Sequence, residues 1–494
     1  MTQDSARPAS QTRRTFLKTT GATAALAGGL ATVGTAAARG IPTPRLHRDG
    51  KWMKDPSGNE VTLRGVNVID PARAAAYQWR RSVSETIKHA TNPDRDWYSR
   101  VIRLPMQPAD IASGGEGNGA RAEPVAFSKS TLQSYLDKYV QPVVETAREI
   151  GVYLILDYHR HKMMSLKYTD PDLDEEVRMF WETVAARYAE EPHVLFEVYN
   201  EPISPYYGFR ERGVSAEVAN PDDEHAEQTW RTWRTTAQPW VDTIRENAPH
   251  TPILIGSPRW SQWTWWADEL PFDGENLAYT GHVYAHPGLR PLSTYFGKPA
   301  KTVPVFMTEF GYAADGNKYF QGTNDHEGQE FVTFFENFPN VSWQVWCFDH
   351  IWSPPMFEKP GNGVDAEWVL LDGNTHHGKF FRDYLKEKRS NRLPEGSGTT
   401  TTPTETTPTG STPTETTTTE TGGPSWPTDP PATDPDGDGL YEDLSGNGEV
   451  DFPDVNMLFQ NSDTAKIRDN AQYYDFESGD GITLQDVMAL FRLV

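Results

Sequence analysis

Short apolar runs alternate with helical patterns over most of the chain. Each run is rich in Val, Ile, Leu or aromatic residues and is followed by a helical pattern or a long loop. We predict strands at residues 61–68, 101–104, 152–157, 194–199, 253–255, 277–284, 305–309 and 343–348. Eight strands that alternate with helices in this way predict an α/β fold, a (β/α)8 TIM barrel.

The clearest helical pattern covers residues 131–150. Apolar residues recur there at every third or fourth position, which predicts an amphipathic helix. Pro142 lies inside this pattern and predicts a kink, because proline removes a helical hydrogen bond. A second helix is predicted around residues 177–188.

The run at 194–199 ends in Asn200-Glu201-Pro202. Pro202 cannot donate to a ladder, so the strand must stop before it. Asn200 and Glu201 are therefore expected at the C-terminal rim of the barrel, where parallel barrels carry their chemistry. Taken alone, Glu201 fits a helix cap as well as a catalyst.

Composition divides the rest of the chain. Residues 1–38 hold a twin-arginine pattern, an Ala/Gly/Thr run too interrupted to span a membrane, and a small-residue cleavage site, which together predict export and a secreted protein. We assign residues 41–390 to the barrel. Residues 391–433 are rich in Thr, Pro and Glu and are predicted to be an extended linker. Residues 434–494 regain the pattern of a folded, all-α domain.

This C-terminal segment carries the spacing of a calcium-binding loop. Oxygen side chains recur from Asp443 to Asp454, and Gly448 stands at the sixth position, where such loops turn sharply. A weaker copy runs from Asp475 to Asp486, with Asp480 displaced by one residue. The predicted ligands are Asp443, Ser445, Asn447, Glu449, Asp451, Asp454, Asp475, Asp480 and Asp486. The alternative is a solvated acidic tail without a metal.

The charge balance narrows the range of partners. The chain has 46 Lys and Arg residues and 69 Asp and Glu residues, a net charge of −23. So acidic a surface repels nucleic acid and anionic membranes, and it favours solubility at high salt, which predicts a halophilic source. A single cysteine, Cys347, excludes an intrachain disulfide.

Several predicted strands end in residues suited to acid–base chemistry or sugar binding. Any one of them fits a core or capping role, but six strands that each end in such a group indicate an active site on one rim. The residues are Arg103, His159, Asn200, Glu201, His282, Tyr284, Glu309 and Trp346. Aromatic residues are abundant, and Trp260, Trp263, Trp265, Trp266 and Trp352 are expected to extend a sugar platform in part and to pack in the core in part.

This set of residues resembles glycoside hydrolase family 5, the cellulase family, over residues 46–388. The resemblance implies a retaining mechanism that needs no cofactor, with Glu201 as acid/base and Glu309 as nucleophile. It also implies supporting roles: Arg103 and Tyr284 hold Glu309 ionised, Asn200 binds a sugar hydroxyl, His159 and His282 position groups, and Trp346 underlies a sugar ring. The tail resembles a dockerin, which implies calcium and a cohesin-like or cell-surface partner.

The predicted function is thus a retaining endo-β-1,4-glucanase acting on β-glucan. Two alternatives remain open at this point. A β-mannanase or another β-glycanase of the same family would share these residues. A non-catalytic carbohydrate-binding surface protein would share the barrel, although it would not need both Glu201 and Glu309.

Overall fold

The computed structural model describes the barrel and the C-terminal segment separately. In the first unit it describes residues 40–76, 81–115, 122–160, 166–207, 221, 224–285, 288–314, 318–359 and 368–395. In the second it describes 431–435, 439–448, 450, 452–461, 467, 470–476, 482, 484–491 and 493. The predicted export signal at 1–38 and most of the predicted linker lie outside the described residues.

The first unit is a closed barrel of eight parallel strands. The barrel strands are β4 (Arg64–Asn67), β5 (Val101–Met106), β6 (Tyr153–Tyr158), β7 (Val194–Glu197), β8 (Ile253–Ile255), β9 (Leu277–Tyr284), β10 (Val305–Gly311) and β11 (Ser342–Val345). Around the barrel their order is β10-β11-β4-β5-β6-β7-β8-β9. A small antiparallel sheet precedes them, made of β1 (His47–Asp49), β2 (Trp52–Lys54) and β3 (Glu60–Val61). The predicted (β/α)8 barrel is therefore confirmed.

The first predicted strand, 61–68, is divided between two sheets. Val61 pairs with Met53 in the antiparallel sheet, whereas the barrel strand begins at Arg64 and pairs with β5 and β11. Sequence pattern alone does not separate the two, because apolar and polar residues are mixed in both halves and every residue from Val61 to Val68 is buried. The predicted strands 253–255 and 277–284, in contrast, match β8 and β9 residue for residue.

Helices and short helical turns surround the barrel. In the first unit the α-helices are Pro71–Ala76, Val83–Ala90, Pro108–Ser113, Lys129–Tyr135, Gln141–Ile150, Pro171–Tyr188, Glu224–Asn247, Leu292–Tyr295, Gly297–Ala300, Gln329–Asn337 and His377–Glu387. Short 3-10 turns cover Pro93–Arg95 and Thr264–Ala267, and a π-helical turn covers Asn324–Gly328. A further four-residue turn, Pro258–Ser261, follows the strand Ile253–Ile255 and contains residues with non-helical φ and ψ.

The predicted helix at 131–150 is longer and is interrupted where the proline required it. Residues Lys129–Tyr135 and Gln141–Ile150 are α-helical, and Leu136–Val140 between them is π-helical. The wider turn comes directly before Pro142, which has no N–H to bond the preceding turn. The proline is thus accommodated by a local change of helix type within one continuous helical segment.

The chain returns under the barrel after its last helix. Arg64 donates to the carbonyl and the side chain of Asn391, and the amide of Thr62 donates to the carbonyl of Arg392 at 3.0 Å. The amide of Glu395 donates to Asp55 at 2.8 Å. We call residues 391–395 the C-terminal clasp. It extends the described contacts five residues past our boundary at 390, and it lies at the N-terminal end of the strands.

The second unit has its own small core. Helices Phe452–Asn461 and Leu484–Phe491 pack with a 3-10 turn at Ala471–Tyr473 around Leu444, Leu458, Tyr474 and Leu490.

Among the described residues of the whole chain, no helix is both long and apolar enough to cross a membrane.

Candidate active site

The eight residues predicted for the active site lie together at or just below the C-terminal rim of the barrel. Arg103, which was expected to end its strand, lies instead inside β5, which continues to Met106. Parallel strands end at the same rim, so residues far apart in sequence come together there. Arg103 lies on β5, His282 and Tyr284 lie on β9, and Glu309 lies on β10. His159, Asn200, Glu201 and Trp346 follow the ends of β6, β7 and β11.

Glu201 and Glu309 face each other with His282 beside them. One carboxylate oxygen of each glutamate and one ring nitrogen of His282 all lie within 4.8 Å of one another. The side chain of Glu201 is 13% exposed and that of Glu309 is 6% exposed. Both carboxylates are therefore largely buried but remain partly open to solvent, so a substrate can contact them.

Glu309 is held in its ionised form. Arg103 Nη1 donates to Glu309 Oε1 at 2.8 Å, and the phenol of Tyr284 donates to Oε2 at 2.9 Å. Burial alone would raise the pKa of Glu309, but the charges of His282 and Arg103 outweigh it and lower the pKa to about 2. This carboxylate is charged at any working pH and is available as a nucleophile.

Glu201 has the opposite bias. Burial raises the pKa of Glu201 above its ordinary value, and the negative charge of Glu309 adds to that effect. His282 Nδ1 lies 3.0 Å from Glu201 Oε1 and partly offsets the rise. Two neighbouring carboxyls with pKa values pushed apart are suited to divide the roles of acid and nucleophile.

His282 connects both glutamates to the base of the site. Burial lowers the pKa of His282, but the surrounding carboxylates, Glu309 foremost, raise it to about 9. The ring then donates through Nδ1 to Glu201 and through Nε2 to Thr308 Oγ1 at 2.9 Å. Thr308 in turn donates to Glu197 at 3.1 Å. Both ring nitrogens are thus engaged in hydrogen bonds, and the trio Glu201, His282 and Glu309 is arranged for proton chemistry.

Arg103 is the hub of a buried network that our sequence reasoning only partly identified. Its guanidinium bonds Glu197 at 2.5 Å and 3.1 Å and Asn200 Oδ1 at 2.7 Å, in addition to Glu309. It also lies 3.2 Å from Asn67 Oδ1 and 2.9 Å from Asp157 Oδ2. Glu197, Asn200, Asn67 and Asp157 are each at most 1% exposed.

Glu197, Asn67, Asp157 and Thr308 were missed as members of the site. All four lie inside runs that we predicted as buried strands. For Glu197, Asn67 and Asp157 the available signal was a charged or amide side chain within an apolar run, because such groups are rarely buried unless they are paired. A buried Glu197 requires a positively charged partner, and Arg103, which also lies in a predicted strand, could have been proposed for it.

His159 and Trp346 form one wall of the site. The two rings are nearly parallel, with centroids 6.0 Å apart. Asp157 Oδ2 lies 2.6 Å from His159 Nδ1 and fixes the ring orientation. Burial and the charge of Arg103 lower the pKa of His159 to about 4, so the ring is neutral.

The tryptophans expected to extend a platform divide as follows. Trp263 is fully buried and Trp266 is 8% exposed, so these two pack in the fold. Trp260, Trp265 and Trp352 are partly exposed. Of these five tryptophans, only the last three are exposed enough to contact a sugar.

The predicted calcium loop in the second unit is partly described. Asp443 is fully buried and accepts hydrogen bonds from the amides of Asn447 and Gly448 at 3.0 Å and 2.9 Å. Asp454, also fully buried, accepts from the Ser445 amide at 2.7 Å, so the two ends of the loop converge. Gly448 has a φ of 88°, the left-handed turn that the spacing predicted. The loop geometry agrees with the spacing, and the calcium ion itself stays a prediction.

The remaining predicted ligands are less complete. Glu449, Asp451 and Asp480 lie outside the described residues. Asp475 and Asp486 are described, and Asp486 is 1% exposed at the start of the last helix.

Comparisons with known proteins concern the barrel and its rim residues. The chain is 27% identical over 322 residues to an endoglucanase of Halalkalibacter akibai, which covers 60% of this chain and 35% of that protein. It is 27% identical over 259 residues to endoglucanase Z of Dickeya dadantii, covering 51% of this chain and 49% of that protein. The chain therefore spans half or less of the length of these relatives.

The fold has solved counterparts. The β-glucanase of Saccharophagus degradans matches with a TM-score of 0.54 and 22% identity, over 71% of this chain and 95% of that one. At this identity the likeness concerns the fold. The family model of the cellulases matches residues 54–350, more than half of the chain and all of the rim described above. This chain belongs to the cellulase family, glycosyl hydrolase family 5.

Proposed function

We propose that the barrel is a retaining endo-β-1,4-glucanase that hydrolyses β-glucan through a glycosyl-enzyme intermediate. The observation that carries the proposal is the carboxylate pair: oxygens of Glu201 and Glu309 lie within 4.8 Å of each other. Retaining glycosidases hold their two carboxyls about 5–5.5 Å apart, and inverting ones about 6.5–9.5 Å apart. No cofactor is needed for this chemistry.

In the first step Glu309 attacks the anomeric carbon of the sugar. The bond from that carbon to the leaving oxygen breaks, and Glu201 gives its proton to that oxygen. The lowered pKa of Glu309 and the raised pKa of Glu201 favour these starting forms. In the second step Glu201, now ionised, takes a proton from water, and the water oxygen displaces Glu309 from the anomeric carbon.

The other rim residues support these two steps. Arg103 and Tyr284 keep Glu309 charged and oriented through their hydrogen bonds. Asn200 Oδ1 is held by Arg103, which turns the amide nitrogen toward Arg160 O at 3.2 Å and leaves its second N–H for the sugar 2-hydroxyl. His282 orients Glu201, and the His159–Trp346 wall receives the sugar ring before the cleaved bond.

The test is Glu309→Ala assayed with and without azide. Turnover of soluble β-glucan should be lost while the protein stays folded. Azide should then restore activity and give a product of inverted anomeric configuration, because it attacks from the vacated side. Near-normal turnover without azide would remove Glu309 as the nucleophile.

The polymer and the mode of attack are tested on a panel of soluble β-glucans, mannan and xyloglucan. An endoglucanase lowers the viscosity of carboxymethylcellulose faster than it releases reducing ends. Faster hydrolysis of mannan than of every glucan would make the protein a β-mannanase with the same carboxylate pair. No hydrolysis of any member would favour a carbohydrate-binding role instead.

For the second unit we propose a dockerin-like module that binds calcium between Asp443 and Asp454 and attaches the enzyme to a cohesin-like or cell-surface partner. The converging buried carboxylates support this. Calorimetry of the full chain should show calcium uptake, and Asp443→Ala should reduce it. Unchanged uptake in that variant would leave the loop without a metal.

We further propose that residues 1–38 direct export through the twin-arginine route and that the protein is secreted by a halophilic organism. The Arg13-Arg14 pair and the net charge of −23 support this. Arg13→Lys with Arg14→Lys should retain the protein in the cell. Full activity without added salt would count against the halophilic assignment.

A further inference from the structure

The segment after β8 adopts an unusual backbone conformation beside the proposed acid. Arg259, Trp260 and Ser261 have φ values of 58°, 60° and 55°. These three residues, which we call the left-handed turn, lie in the region that favours glycine, and none of them is glycine. Such conformations persist only where the surroundings impose them, and they concentrate at functional sites.

The left-handed turn donates hydrogen bonds to the chain on both sides of Glu201. The hydroxyl of Ser261 donates to the carbonyl of Asn200 at 2.6 Å. The amide of Trp260 donates to the carbonyl of Pro202 at 3.2 Å. Two consecutive donors thus hold the two carbonyls that flank Glu201.

These two hydrogen bonds lie beyond the end of the hydrogen-bonded barrel strand. Strand β7 ends at Glu197, so Glu201 lies four residues beyond the paired strand. The amide of Asn200 still donates to the carbonyl of Tyr158 at 3.0 Å. Beyond that hydrogen bond, the carbonyls of Asn200 and Pro202 are bonded by the left-handed turn.

The surroundings of the left-handed turn explain how it is maintained. A Cβ at Gly256 would lie 2.7 Å from Ser261 Oγ and 2.8 Å from the carbonyl of Tyr199, so only glycine lets the turn approach the strand this closely. Arg259 is 4% exposed, and its guanidinium lies against the rings of Trp260 and Trp263, 5.8 Å and 5.5 Å from their centroids. Packing on one side and a missing side chain on the other hold the strained backbone in place.

We propose that the left-handed turn positions the catalytic acid, and that Ser261 is its main positioning residue. This inference rests on the proposed function, in which Glu201 protonates the leaving oxygen. A displacement of Glu201 by a fraction of an ångström lengthens the path of its proton but leaves Glu309 in place. Substrates that need protonation should therefore suffer, and substrates with good leaving groups should not.

The experiment compares two aryl β-cellobiosides through kcat/KM, which reports the first step. Phenyl β-cellobioside has a poor leaving group, and 2,4-dinitrophenyl β-cellobioside has a good one. Ser261→Ala should lose about tenfold or more on the phenyl substrate and less than about twofold on the dinitrophenyl substrate. The alkaline limb of the phenyl pH profile should also move, because it reports Glu201.

Two further variants keep the test decisive. Ser261→Gly adopts positive φ without strain and also lacks the hydroxyl, so it should show the same selective loss even where Ser261→Ala does not fold. Thr62→Val is the matched control: Thr62 is 1% exposed, and its hydroxyl donates to the carbonyl of Pro339 at 2.6 Å at the opposite end of the barrel. It should change the unfolding temperature and leave the ratio of the two substrates unchanged.

Glu201→Ala separates this inference from the proposed function. If that variant loses activity equally on both substrates, Glu201 is not the acid and the proposed function fails. If Glu201→Ala loses only the phenyl substrate while both Ser261 variants keep the wild-type ratio, the proposed function stands and the positioning role of the turn is overturned.

Discussion

The hydrogen bond from Tyr284 to Glu309 offers the sharpest quantitative test of the site. Tyr284→Phe removes the phenol that lies 2.9 Å from Glu309 Oε2. The ring itself packs against Phe320, with centroids 4.5 Å apart, and phenylalanine keeps that contact. Burial and the neighbouring carboxylate raise the pKa of Tyr284 well above 10, so the native phenol donates at every working pH.

The size of the effect follows from that bond. A hydrogen bond to a charged group contributes about 1.5–3 kcal/mol. One pKa unit corresponds to about 1.4 kcal/mol, so losing the bond should raise the pKa of Glu309 by about 1–2 units. From a starting pKa of about 2, the acid limb should then fall at about pH 3–4. Because Glu309 works only when ionised, the limb moves to higher pH.

The assay is the pH profile of kcat/KM on a soluble β-glucan, each enzyme normalised to its own plateau. At pH 3.5 the variant should retain roughly half of its plateau rate, whereas the wild type stays close to its plateau. Tyr312→Phe is the matched control, since its buried phenol donates to the neutral side chain of Asn324 at 2.7 Å. An acid limb that coincides with the wild type, or one that moves equally in the control, would refute the assignment of Glu309.

Two further outcomes are expected. Glu197→Gln leaves Arg103 without its bidentate partner and should destabilise the barrel by about 3–5 kcal/mol in urea unfolding. Glu176→Gln, which breaks the buried pair with Arg160, should destabilise similarly but leave the kinetics intact, and equal kinetic losses in both would deny Glu197 a special role. Removing calcium with a chelator should unfold the second unit and leave hydrolysis of soluble glucan unchanged; a chelator that stops hydrolysis would show that the two units are not independent.

The architecture was predictable because periodicity and strand ends are local signals. The order of eight apolar runs gave the barrel, and Pro202 gave the position of Glu201 at the rim. Pro142 predicted an interruption, but whether the helix would break, bend or widen depends on packing from outside the segment. The catalytic roles of the eight rim residues stay predictions, and the kinetic tests above decide those of Glu201, Glu309 and Tyr284.

What escaped prediction depends on contacts between distant segments. Glu197 reads as an ordinary strand residue until Arg103, 94 positions away, is placed beside it. The left-handed conformation of Trp260 and Ser261 has no sequence marker, because no glycine or asparagine stands at either position. It is imposed by the close approach to Gly256 and by the carbonyls that flank Glu201.

The C-terminal clasp has a practical consequence for how this enzyme tolerates cleavage. A protease that cuts before residue 391 would expose Arg64, which is only 7% exposed, and would remove the bond partners of Thr62 and Asp55. The nicked barrel would keep every group on its rim, since the clasp lies at the opposite ends of the strands. Damage at this point would therefore shorten the lifetime of the enzyme at high temperature while its specific activity, measured on the surviving molecules, stayed the same.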